Sequence, residues 1–175
     1  LDAMYRYNFK PSMCDVSNVW RVFALNDEAG AVMCDYPPHI NKPVIPITYC
    51  EECMTGFEYM FAGLLAKHGY LDRAVEVVRA VRDRYDGKKR NPYNEMECGS
   101  HYVRAMSSFA LLPIYSGFRF DFSRGKMGFD PIEYRENYRF VWFAGNAWGN
   151  VVAENGQTVI TVLSGTLDIN ILPLP

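Results

Sequence analysis

A polar run in the middle of the chain constrains its fold more than any other feature. Arg90-Asn91-Pro92-Tyr93-Asn94-Glu95-Met96-Glu97-Cys98-Gly99-Ser100-His101-Tyr102-Val103-Arg104 lies between two stretches of apolar, helix-like sequence. Its charged and amide groups cannot enter a core without partners, so the run either closes an ion-pair network or lines a site. Ser100 suits the N-cap of a helix that runs to about Tyr115. Helical spacing then places Glu97, His101 and Arg104 on one face. One reading is a satisfied network of Glu95, Glu97 and Arg104 that ties down a loop. The other is a site for a polyhydroxylated ligand, in which carboxylates accept hydrogen bonds and a guanidinium donates a fork of them.

The sequence around this run is helical before it and strand-like after it. Leu1 to Asn8 reads as the end of a helix whose beginning is missing. Val19 to Leu25 and Ala31 to Tyr36 read as a hairpin around Asn26–Gly30, and Pro37, Pro38, Pro43 and Pro46 force an extended crossing. A helix is expected from about Glu51 to His68, with Gly69 as its C-terminal cap. A second, from Leu71 to Tyr85, presents Leu71, Ala74, Val75, Val78 and Val81 on one face, and the two form an antiparallel pair. After the third helix, ended by Gly117, five strands are expected: Phe118–Phe122, Tyr138–Phe143, Trp148–Glu154, Thr158–Leu163 and Thr166–Leu172. The last two read as a hairpin. The pattern predicts a mainly α chain with β additions, namely a β-hairpin near the N-terminus and a strand-rich C-terminal tail.

Composition narrows the function classes. The chain is 49% hydrophobic, enough for one core of ordinary size. A net charge of −2 with no basic stripe argues against a nucleic-acid partner. No apolar run reaches the ~20 residues of a membrane span. Five scattered cysteines read as reduced thiols of a cytoplasmic protein. Cys50-Glu51-Glu52-Cys53 has the spacing of a redox or zinc half-site, but no second pair or histidine completes it, so neither metal nor cofactor is expected. There is no phosphate loop, nucleophile elbow or zinc-binding histidine pair. His39, His68 and His101 are isolated from one another.

Glu51 and Glu52 stand where the first long helix should open, a place where the helix dipole favours negative charge. Alternatively, one of them faces a cavity and meets Glu95 across it. Paired carboxylates are what glycoside hydrolysis requires. Trp20, Trp142, Trp148 and the many tyrosines can stack on sugars or simply fill a core.

The segment Tyr85–Ser108, from Tyr85-Asp86-Gly87 through Arg90-Asn91-Pro92 and Glu95-Met96-Glu97-Cys98-Gly99 to Tyr102-Val103-Arg104-Ala105-Met106-Ser107-Ser108, resembles a segment of glycoside hydrolase family 116. That family includes non-lysosomal glucosylceramidases and microbial β-glucosidases. Supporting matches are Glu51-Glu52 with Thr55-Gly56-Phe57-Glu58-Tyr59, Gly128-Phe129-Asp130-Pro131, and Leu163-Ser164-Gly165-Thr166-Leu167. The resemblance covers nearly the whole chain. It implies that residues 1–175 are the C-terminal part of an (α/α)6 toroid that hydrolyses β-glucosides with retention. Three helices would pack as successive staves and expose apolar surface where further staves belong. The nucleophile and the acid/base would lie upstream, in a missing N-terminal portion of the same polypeptide, leaving no catalytic residue in this chain. Glu95 and Arg104 match positions that hydrogen-bond glucose hydroxyls, and one of Glu51 and Glu52 matches another sugar contact. Cys53-Met54 departs from the family, which often carries a larger or aromatic residue there.

Overall fold

The computed structural model describes residues 1–16, 23–45, 47–94, 103–133 and 135–171, with residues 170 and 171 as backbone only. The chain forms two compact units, Leu1–Ser108 and Phe109–Pro175.

The first unit is built on a helical hairpin of α2 (Thr55–Lys67) and α3 (Leu71–Arg84), preceded by α1 (Asp2–Asn8). The connection needs glycine. Gly69 has φ +85°, its N–H donates to Ala66 O at 3.0 Å, and the Tyr70 N–H reaches back to Leu65 O at 2.9 Å. These two bonds satisfy carbonyls that the end of α2 would otherwise leave open. The buried stripe of α3 is Ala74, Val77, Val81 and Arg84, at intervals of three and four, with Ala80 beside it. Val75, expected on that face, is exposed, because the helix is turned so that Arg84 points inward at an ionic partner. Asp2 of α1 accepts from Arg73 at 2.7 Å, tying the N-terminal helix to α3.

Strand β1 (Phe9–Lys10) pairs antiparallel with β2 (Gly30–Ala31). Beyond β2, Val32 bridges Cys53, and the Met33 N–H donates to Glu52 O at 2.9 Å. The expected pairing of Val19–Leu25 with Ala31–Tyr36 is therefore not what the described residues form: β2 pairs with the N-terminal strand, and residues 32–34 pair with 51–53. Residues 19–22 lie outside the described residues, and Phe23–Leu25 form no strand. A small core of Met13, Ala24, Val32 and Cys53 fills the space under these strands.

A 3-10 helix, Arg104–Ala110, leads into the short α4 (Leu111–Ser116), and the second unit then continues in strands. A three-stranded antiparallel meander joins β5 (Arg139–Ala144), β6 (Ala147–Glu154) and β7 (Gln157–Ser164). Between β6 and β7, Asn155 and Gly156 both have positive φ, +52° and +72°. A two-residue Asn-Gly loop of this kind matches the twist of the strands that it joins. The second sheet holds β3 (Arg119–Asp121), β4 (Lys126–Gly128) and β8 (Asn170–Ile171), with β8 parallel to β4. The hairpin expected between 158–163 and 166–172 is thus absent among the described residues: β7 pairs with β6, and β8 belongs to the other sheet. Met127, Phe129, Trp142, Ala147 and Val151 form the core of this unit.

The expectation of a mainly α partial (α/α)6 toroid is overturned. Among the described residues there are four α-helices, and α1 and α4 have only seven and six residues. The third stave is the main loss. Pro113 has no N–H and fits only the first turn of a helix, so the sequence expected to run unbroken to Tyr115 becomes a 3-10 segment and a short α-helix. The strands bury a core of their own around Trp142.

Gly149 and Gly156 give this sheet a test. A Cβ on Gly149 would lie 1.8 Å from Thr161 O, whereas one on Gly156 would meet nothing within 4 Å and would suffer only from the left-handed backbone. Gly156→Ala should cost about 1–2 kcal/mol, and Gly149→Ala about 3 kcal/mol or more, since β7 must move. Urea midpoints at unchanged slope measure both, and equal losses would contradict the packing described.

Candidate functional site

Charged side chains organise the first unit at three depths. Deepest is the pair of Glu58, in the first turn of α2, and Arg84, at the end of α3, each 1% exposed. Arg84 Nη2 donates to Glu58 Oε2, and Nη1 donates to Glu58 Oε1 at 3.1 Å and to Ala29 O at 2.7 Å. The second oxygen is also used by the chain, since the Ala31 N–H donates to Glu58 Oε1 at 2.9 Å. Burial would pull the Arg84 pKa down, but the charge and hydrogen bonds of Glu58 outweigh it and hold the guanidinium charged. This is a clamp between two helices and a strand.

One layer out, Arg90 forks onto both oxygens of Glu28, with Nη2 to Oε2 at 2.8 Å, while the Leu25 N–H donates to Oε2 at 2.7 Å. Burial raises the Glu28 pKa, yet Arg90 and the Leu25 amide more than offset it and hold the carboxyl below its ordinary value. Arg90, the first residue of the polar run, is a structural partner of Glu28.

The predicted substrate contacts occupy different surroundings. Glu51 and Glu52 do not open α2, which begins at Thr55, because the backbone at 51–53 is taken up by pairing with 32–34. Glu51 has φ +61°, pairs with Lys42, and keeps 13% of its side chain exposed. Lys42 also reaches Asp35 at 3.1 Å, and Lys10 pairs with Asp35. Burial opposes ionisation of Asp35, but Lys10, the Tyr36 amide and Lys42 together hold its pKa below the usual value. Glu52 is fully buried. Glu95, Glu97 and His101 lie outside the described residues.

Arg104 begins the 3-10 helix, which docks on the start of α2. Ser107 Oγ donates to Gly56 O at 2.9 Å, and a Cβ on Gly56 would come within 2.9 Å of Arg104 Cβ, so this approach requires glycine. The guanidinium lies 2.9 Å from Met54 Sδ and 5.9 Å from the Phe57 ring centroid. Arg104, Gly56, Phe57, Met60 and Ser107 line an open pocket of about 250 Å3. A neighbouring groove of about 180 Å3 runs past Met4, Met33, Phe57, Met60 and Leu64. A ring face beside a fork of donors can hold a hydroxylated or acidic group. Neither Glu51 nor Glu52 lines these two spaces.

Cys50 and Cys53 do not face each other as a half-site would. Cys50 Sγ lies 3.0 Å from Cys34 Sγ, whereas Cys53 packs with Met13, Ala24 and Val32. Among the described residues no group of three His, Cys, Asp or Glu is placed to hold a metal, and no helix is long and apolar enough to cross a membrane. Of the tryptophans, Trp142 is core, donating to Asn150 O at 3.2 Å, and Trp148 is surface, stacked on Phe143. Sequence reading missed Glu58 and Arg84. Their signal was a charged residue within the apolar period of each helix.

Removing Arg84 strands a buried carboxylate. Arg84→Met should cost about 3–5 kcal/mol, and adding Glu58→Leu should recover much of it; a double variant less stable than the single would refute the clamp. For Glu28 and Asp35 the folded pKa lies below the unfolded one, so their stabilisation is present above about pH 4 and is lost as pH falls through the folded values. Urea stability should be level from pH 7 to about 5 and then decline, and a rise on acidification would contradict these pairings.

No protein-family model matches the chain, and no curated protein matches it.

Proposed function

We propose that the chain is part of a retaining β-glucoside hydrolase of the glucosylceramidase kind and supplies the wall that holds the glucose ring. The reading rests on the resemblance of Tyr85–Ser108, and the observation that carries it is the setting of Arg104. In this motif Arg104 is the glucose-contact position whose side chain is described, and it lies at an open pocket beside the Phe57 ring. Guanidinium donors next to an aromatic face suit a sugar that offers hydroxyl oxygens on its edge and C–H bonds on its face. Glu95 is assigned the same sugar. Of the adjacent pair, Glu51 keeps exposed surface and Glu52 has none, but neither lines the Arg104 pocket, so a contact from this pair rests on the resemblance alone. The chemistry is assigned to carboxyl groups of an N-terminal portion of the same polypeptide, and the free thiols suit a reducing, cytoplasmic compartment. The proposal carries no toroid with it.

A second reading has its own observation. Phe57, Met60 and Leu64 form a stripe along α2 and are 44%, 56% and 46% exposed. An apolar stripe of this kind also suits a helical interaction domain without catalysis.

The purified chain should show no turnover of an aryl β-glucoside, since retention needs two carboxyl groups ~5–5.5 Å apart. Methyl β-glucoside should bind at millimolar concentration or weaker, since each exchanged hydrogen bond gains only ~0.5–1.5 kcal/mol. Amide NMR shifts should centre on Gly56, Phe57 and Ser107 and vanish in Arg104→Ala. Turnover lost in Glu95→Gln would overturn the assignment of chemistry elsewhere. Sugar shifts that survive Arg104→Ala would overturn the wall.

A further inference from the structure

We propose that Cys34 and Cys50 are a redox-active dithiol, oxidised to an intramolecular disulfide by a small-molecule disulfide of the glutathione class. The inference is independent of the glucoside reading. It starts from placement: the two sulfurs are 3.0 Å apart, and the Cys50 thiol also lies 3.2 Å from Cys34 O. Closing from this separation to a bond of ~2.05 Å needs a movement of only about 1 Å.

The backbone holds the two cysteines in register. Val32 bridges Cys53, the Met33 N–H donates to Glu52 O at 2.9 Å, and the Glu51 N–H donates to Cys34 O at 3.1 Å. Lys42 adds a tie between the two sides, pairing with Asp35 next to Cys34 and with Glu51 next to Cys50. Tyr49 and Glu51, on either side of Cys50, both have left-handed backbone, with φ +67° and +61°. Such a backbone is costly for these residues, and here it brackets the cysteine whose sulfur meets Cys34.

The two thiols differ in a way that orders the reaction. Cys34 is exposed and Cys50 is buried. Burial, the hydrogen bond with Cys34 and the nearby carboxylates of Glu51 and Asp35 push the Cys50 pKa up, so Cys34 is the sulfur that meets the oxidant. Its thiolate attacks one sulfur of the small disulfide, forming a mixed disulfide and releasing one small thiol. Cys50 then loses its proton and attacks Cys34 Sγ, expelling the second small thiol. In sum, two protein thiols lose two electrons and two protons, and the small disulfide becomes two thiols.

The bond would close the loop between the cysteines at its base. That loop has little packing of its own, since Val44 is 100% and Ile45 83% exposed. A reducing compartment keeps the pair open, and a rise in oxidised small thiol closes it.

The test is incubation of the purified chain with oxidised glutathione, followed by intact mass and peptide mapping under non-reducing conditions. The expected product has lost two hydrogens, links the Cys34 and Cys50 peptides, is reversed by reduced glutathione, and resists thermolysin at Val44–Ile45 better than the reduced chain. Cys50→Ser should stop at a glutathione adduct on Cys34. Three results on the wild-type chain would each overturn the proposal: no loss of hydrogens, a lasting glutathione adduct on Cys34, or a link through Cys14, Cys53 or Cys98.

Discussion

The ion pair of Glu58 and Arg84 is the interaction on which the first unit depends. Two charges held at 1% exposure are stable only because each completes the other, and removing either leaves a dry charge. The pair also fixes direction. Glu58 comes from the start of α2 and Arg84 from the end of α3, so their meeting sets how the two helices align. The valences left over reach Ala29 O and the Ala31 N–H, which brings β2 to the same point. Gly30 follows from this, since a Cβ there would lie 2.5 Å from Cys53 Sγ and 3.0 Å from Arg84 Nη1. A leucine and a methionine of similar size could fill the volume, but neither could hold a strand by its backbone groups.

What the sequence made legible was local. The helical hairpin was readable because α3 has a period near 3.6 and Gly69 supplies the left-handed residue that ends α2. The Asn155-Gly156 turn was readable because two adjacent positive φ values favour that dipeptide. The failures came where a distant partner decided the outcome. Glu51 and Glu52 looked like the opening of a helix, yet residues 32–34 claim their backbone. Val75 looked buried until the pairing of Arg84 turned α3. Of the candidate site, the proximity of Arg104 to Gly56 and Phe57 depends on a contact across fifty residues, which no spacing within one helix encodes. Glu95 lies outside the described residues, so its part of the site rests on the motif alone.

The arginines have separate tasks because their surroundings differ in polarity. Arg84 and Arg90 each meet a carboxylate by both donor nitrogens and are fixed structural parts. Arg104 lies against a thioether and an aromatic ring at the rim of a pocket. Guanidinium tolerates such company because it is weakly hydrated and planar. A lysine there would keep the charge but lose the flat contact with Phe57 and the fork of donors.

The same separation limits what the described pocket and groove can catalyse. Retaining hydrolysis needs one carboxyl group to attack and another to give up a proton, both within reach of one sugar. Among the described residues lining the two spaces, Glu58 is the carboxylate, and it is sealed by Arg84. Both of its oxygens are already taken, by the guanidinium of Arg84 and, for one of them, also by the Ala31 N–H. Turning Glu58 toward the groove would also release Arg84, β2 and the end of α3 together. One side chain cannot be both the clamp that holds the unit and an acid that moves. If the chain serves glycoside hydrolysis, these described residues serve it by holding, and the proton and the nucleophile come from elsewhere.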